Sequence, residues 1–169
     1  MVKYLLCFFL LSSLSWANVP KVQDKLQPAG VSQTIQRQIG GQAGAGFMLL
    51  NLQKVQAKNG KVERLIFEVG TKEGQALKGL PGYFNAQNQI KPNRIVIDFA
   101  QMTGSRIDEN FIRSLLKDSN LIKNAKVTED PQDGTLSLTL DLNSEVRMKT
   151  LQVAGKKQTA KVVLDIIKR

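Results

Sequence analysis

The chain has no histidine, one cysteine and one tryptophan in 169 residues, and both Cys7 and Trp16 fall within the first seventeen positions. A mature chain that starts after Ala17 therefore carries neither thiolate nor imidazole. Zinc sites, cysteine or histidine nucleophiles and histidine-based triads are excluded. Disulfides are excluded as well. Aromatic residues are scarce: only Phe47, Phe67, Tyr83, Phe84, Phe99 and Phe111 remain past Ala17. That is too few for a carbohydrate platform of several broad stacked rings. No cofactor is expected, and no metal.

Long apolar runs are absent except at the start, where Lys3 precedes Tyr4 to Leu11 and a polar exit leads to Ser15-Trp16-Ala17. This order of charge, apolar run and small residues is that of a secretory signal peptide over residues 1–17. The run falls well short of the roughly 20 residues that span a bilayer, so no stable membrane span is expected after cleavage. Removing it leaves 23 Lys and Arg against 14 Asp and Glu, a net charge near +9. Such a charge permits nucleic-acid binding, but an export signal separates the protein from nucleic acid. The remaining 152 residues suffice for one domain with its own core.

Residues 18–46 hold six glutamines, five glycines and two prolines with no aromatic residue. This composition buries little apolar area and reads as a flexible Gln/Gly-rich leader, in which 31–39 can form a short strand or helix if a partner covers it. The folded domain is expected over 47–169.

Within it one short pattern recurs four times: a base, or in one copy a turn, then alternating apolar residues, then a carboxylate. The copies are Arg64 to Val69, Arg94 to Phe99, Leu136 to Leu142 and Lys161 to Ile166. Successive side chains of a strand point to opposite faces, so the apolar residues of each copy share one side and the acids face the other. Asn59-Gly60 and Pro131 to Gly134 supply turns. Helical spacing occurs only between Asp108 and Asn124, where Phe111, Ile112, Leu115, Leu116 and Leu121 form a stripe, Ser105 or Asp108 supplies a cap, and Asp118-Ser119-Asn120 interrupts. The expected fold is all-β: two small symmetry-related sheets packed as a sandwich, joined by one short helix.

The strand Asn93-Arg94-Ile95-Val96-Ile97-Asp98-Phe99, followed by Leu121 to Val127 and then Leu136 to Leu142, resembles the AMIN domain. The resemblance extends over 47–167, here as a module standing alone behind its signal peptide. It implies a fold of two symmetry-related sheets. It also implies a place among peptidoglycan-targeting modules of periplasmic N-acetylmuramoyl-L-alanine amidases and type IV pilus secretins.

Arg64 and Glu68, Arg94 and Asp98, and Lys161 and Asp165 lie four apart on their strands, hence on one face but roughly 13 Å apart, so they must pair across strands. Either they form a solvated face that sets register, or the cations grip carboxylates of a ligand with the acids holding them in place. On the second reading Arg64, Arg94, Asp98 and Lys161 bind ligand. Tyr83 joins them if it stacks on a sugar instead of plugging the core with Phe84. The acid pairs Asp108/Glu109 and Glu129/Asp130 suit caps and turns better than glycoside hydrolysis, whose carboxylates need a set separation across the substrate. The chain thus reads as a non-enzymatic periplasmic module that binds peptidoglycan through a cationic outward face. The competing expectation is an interaction subunit of a pilus, secretin or cell-division complex that binds a protein by strand addition.

Overall fold

The computed structural model describes residues 34–44, 46–156 and 158–169. The expected signal peptide, and the leader up to residue 33, lie outside the described residues. Ten strands and one helix follow in order: β1 (Thr34–Gly40), β2 (Phe47–Gln56), β3 (Val62–Thr71), β4 (Phe84–Gln89), β5 (Arg94–Phe99), β6 (Met102–Ser105), α1 (Glu109–Leu116), β7 (Ile122–Asp130), β8 (Thr135–Leu142), β9 (Val146–Val153) and β10 (Ala160–Lys168).

They form two five-stranded sheets, the first in order β1-β4-β5-β8-β7 and the second in order β6-β2-β3-β10-β9. The four copies of the repeated pattern are β3, β5, β8 and β10. They take the central positions, β5 antiparallel to β8 and β3 antiparallel to β10. Each sheet therefore combines hairpins from both halves of the chain, β4–β5 with β7–β8 and β2–β3 with β9–β10. The sheets are alike in plan, but neither corresponds to one half of the sequence.

Alternation places the apolar set as expected. Leu65, Phe67 and Val69, Ile95, Ile97 and Phe99, Leu136, Leu138, Leu140 and Leu142, and Val162, Leu164 and Ile166 are all buried in one core between the sheets. Each such side chain stabilises the fold by about 1.5–3 kcal/mol relative to exposure. Phe67 of the second sheet meets Phe99 of the first with ring centroids 5.2 Å apart, and Phe99 meets Phe84 at 6.5 Å. At Asn59-Gly60 the chain turns with Gly60 at φ 64°, a left-handed conformation that favours glycine.

Two differences from the sequence reading concern edges. The expected leader contributes β1, which pairs antiparallel with β4 from Thr34 to Gly40. Its glutamines serve backbone: Gln36 Oε1 accepts from Met148 N at 2.8 Å, and Gln38 bonds both Thr150 N and Met148 O. A polar strand is held here because its side chains satisfy the β9 edge, a use that composition does not reveal. The second difference is β6, too short and too polar to read from pattern, which runs parallel to β2.

The helix starts where Asp108 caps it, Oδ1 accepting from Phe111 N at 2.7 Å. Ile112 and Leu116 face the core, whereas Phe111, expected on the same stripe, is exposed. Beyond the helix the chain is pinned by Glu63, a fully buried carboxylate at the start of β3. It accepts from Ser119 Oγ, from Asn120 N at 2.7 Å and from Leu121 N at 3.2 Å.

Candidate binding faces

In an antiparallel central pair, the basic start of one strand lies opposite the acidic end of its neighbour. The register makes this reciprocal in the second sheet, where Arg64 faces Asp165 and Lys161 faces Glu68. Arg64 Nε and Nη2 donate to the two Asp165 oxygens at 2.6 and 2.8 Å, a bidentate pair. The hydrogen bond to Asp165, and after it the Coulombic attraction of that carboxylate, raises the Arg64 pKa above its ordinary value. Lys161 Nζ lies 3.1 Å from Glu68 Oε1, which also accepts from Gln53 Nε2. In these pairs the acids are the better covered: the Asp165 side chain is 13% exposed and that of Arg64 46%.

The first sheet follows the same rule once. Arg94 faces Asp141, with Nε 3.6 Å from Oδ1. Asp98 faces Ser137, because the β8 copy of the pattern opens on a turn instead of a base. Ser137 Oγ donates to Asp98 Oδ1 at 2.6 Å and Asn85 Nδ2 donates to Oδ2 at 3.4 Å, while Asn85 Oδ1 accepts from Arg37 Nε at 2.8 Å. Asp98 is thus a motif acid held by neutral donors.

Around it the outward positions of β4 (Asn85, Gln87, Gln89), β5 (Arg94, Val96, Asp98) and β8 (Ser137, Thr139, Asp141) lie in cross-strand rows. Tyr83 continues the β4 alternation from buried Phe84 and is 48% exposed, with its carbonyl accepting from Ala100 N at 2.8 Å. The expected core plug is therefore divided, Phe84 inside and Tyr83 outside.

The five expected ligand residues do not share a surface. Arg94, Asp98 and Tyr83 lie on the outward face of the first sheet. Arg64 and Lys161 lie on the outward face of the second, across the core from them. Arg37 and Asn85, which with Ser137 complete the surroundings of Asp98, were not singled out from sequence. The available signal was the missing base in the third copy of the pattern.

Three of the four paired acids have structural partners. Asp108 caps α1, Glu109 pairs with Arg113 one turn on, and Asp130 Oδ1 accepts from the backbone of Gln132 and Asp133. Among the described residues no three of His, Cys, Asp and Glu converge to hold a metal. No helix among them is long and apolar enough to cross a membrane.

No curated protein matches the sequence. The family model of the AMIN domain matches residues 79–166, from the loop before β4 into β10. That family comprises non-catalytic modules that bind peptidoglycan in amidases and secretins. The matched span contains three of the four pattern strands in the central positions of both sheets, and β1 to β3 complete the sandwich around it. This chain belongs to the AMIN domain family.

Proposed function

We propose that this protein is a non-catalytic periplasmic module that binds peptidoglycan through the outward face of β4, β5 and β8, with Arg94, Asp98 and Tyr83 as ligand contacts. The observation that carries the reading is the one motif carboxylate held by neutral donors, Asp98, in a flat field of amides, hydroxyls and a guanidinium. Wall polymer offers hydroxyls, amides and carboxylates along an extended chain. Such a face matches it by many weak hydrogen bonds summed through avidity. Arg64 and Lys161 present a second cationic surface, held by closer pairs, Arg64 bidentate on Asp165 and Lys161 3.1 Å from Glu68, against 3.6 Å between Arg94 and Asp141.

Pull-down of the mature protein with purified sacculi tests this. Alanine at Arg94, Asp98 and Tyr83 together is expected to release the protein from sacculi at a salt concentration that retains the parent. Alanine at Arg64 and Lys161 is expected to change retention less. Equal retention of the first variant and the parent contradicts the assignment.

A second reading is supported by β7, whose outer side pairs with no strand among the described residues. On this reading the protein is a subunit of a pilus, secretin or division complex and takes a strand from its partner.

A further inference from the structure

The sheet edges are not equally open. The β9 edge is occupied by the Gln36 and Gln38 side chains. The β6 edge is four residues long, and β1, the other edge of the first sheet, has seven residues, with its Gln36 and Gln38 side chains bonded to β9. The nine residues of β7 pair with β8 on one side only. Beside that free side runs α1, and between them lies a groove of about 460 Å³.

Its floor is apolar, formed by Leu116, Ile122 and Ala125, and its rim carries Arg113, Lys117 and Lys123. The pairing irregularity between Ile122 and Asn124 leaves Lys123 and its neighbour both exposed. No carboxylate lines the groove; Glu109 is paired with Arg113, Asp118 follows Lys117 beyond the lining, and Glu129 and Asp130 stand at the opposite end of β7. A free strand edge supplies main-chain hydrogen bonds to an extended chain, the apolar floor accepts alternate side chains, and the basic rim selects their charge.

We propose that this groove binds an extended acidic segment of a partner protein, added to β7 as a sixth strand of the first sheet, with acidic side chains meeting Lys117 and Lys123. The proposal rests on the second reading above and gives it an edge and a partner chemistry.

The probe is a nine-residue fluorescent peptide of alternating valine and glutamate, titrated into the mature protein by anisotropy. Three further peptides accompany it: alternating valine and lysine, and two versions of the acidic peptide N-methylated on opposite sets of alternate amides. The acidic peptide is expected to bind at least tenfold more tightly than the basic one. One N-methylated version is expected to bind and the other to fail, since only one side of an added strand meets β7. Lys117→Glu with Lys123→Glu is expected to reverse the charge preference. Equal binding of both N-methylated peptides, equal binding of the acidic and basic peptides, or no binding of any overturns the proposal.

Photocrosslinking in cells separates this failure from that of the underlying reading. A specific envelope protein captured from Tyr83 but not from Ser114, which lines the groove, overturns the groove and leaves a partner-binding role intact. Capture from Ser114 through an acidic segment, identified by sequencing the crosslinked peptide, supports it, and capture through a basic segment overturns it.

Discussion

Ser137 stands opposite Asp98 at the position where Asp165 meets Arg64, Glu68 meets Lys161 and Asp141 meets Arg94. Its hydroxyl donates to Asp98 at 2.6 Å. One motif carboxylate in four thus lacks a basic partner across the strand pair. It lies on the face that also carries Tyr83.

Placing a base there restores the rule. Ser137→Lys is expected to form a fourth cross-strand pair and to change stability by less than about 1 kcal/mol, the range of such pairs. Wall retention should fall, because Asp98 is then neutralised from within. Urea denaturation and sacculus pull-down on the same preparation check both parts. Retention equal to the parent with an unchanged melt removes Asp98 from the ligand contacts.

The contact between the sheets is aromatic at its centre. Phe67→Ala removes a fully buried ring that packs on Phe99 and is expected to lower stability by about 3–5 kcal/mol. Set against the roughly 5–15 kcal/mol of a typical domain, that is a large share. Denaturant titration at fixed temperature measures it, and a loss below about 1 kcal/mol contradicts the packing described.

Glu63 tests the far end of the sandwich. Glu63→Gln keeps the shape but replaces a charged acceptor with a neutral amide, one end of which donates where a carboxylate oxygen accepted. We expect a loss of about 1.5–3 kcal/mol, the scale of hydrogen bonds to a charged group. Faster amide exchange at Asn120 and Leu121 should accompany it, and unchanged exchange there contradicts the assignment of Glu63 as the pin of this loop.

The sequence made some of these features legible and hid others for physical reasons. Strand periodicity is local, so the inward residues of β3, β5, β8 and β10 could be read one strand at a time. The Asp108 cap and the Asn59-Gly60 turn are local signals too. Sheet membership is not local: alternation says that Arg64 and Arg94 point outward, but not that they do so from different sheets. Gln36 and Gln38 look like leader composition until β9 supplies the backbone groups they satisfy. Nothing local in the sequence marks Glu63 as buried, because the groups that donate to it come from the loop after α1, more than fifty residues on. Asp98 was visible as a motif acid, and its lack of a basic partner followed only from the β5–β8 register.

The glutamines of β1 lead to a prediction about solubility. Gln36→Ala with Gln38→Ala strips the cover from the β9 backbone and exposes a pairing edge. Light scattering at rising concentration is expected to show self-association absent from the parent. A variant that stays as monodisperse as the parent contradicts edge protection by β1.

The most direct measurement is the response of backbone amide resonances to a soluble disaccharide-peptide fragment of the wall, titrated into the isotope-labelled mature protein. The account predicts shifts clustered at Tyr83 to Gln87, Arg94 to Asp98 and Ser137 to Asp141. Shifts confined to the β3 and β10 surface around Arg64 and Lys161, or none at saturating fragment, would contradict it.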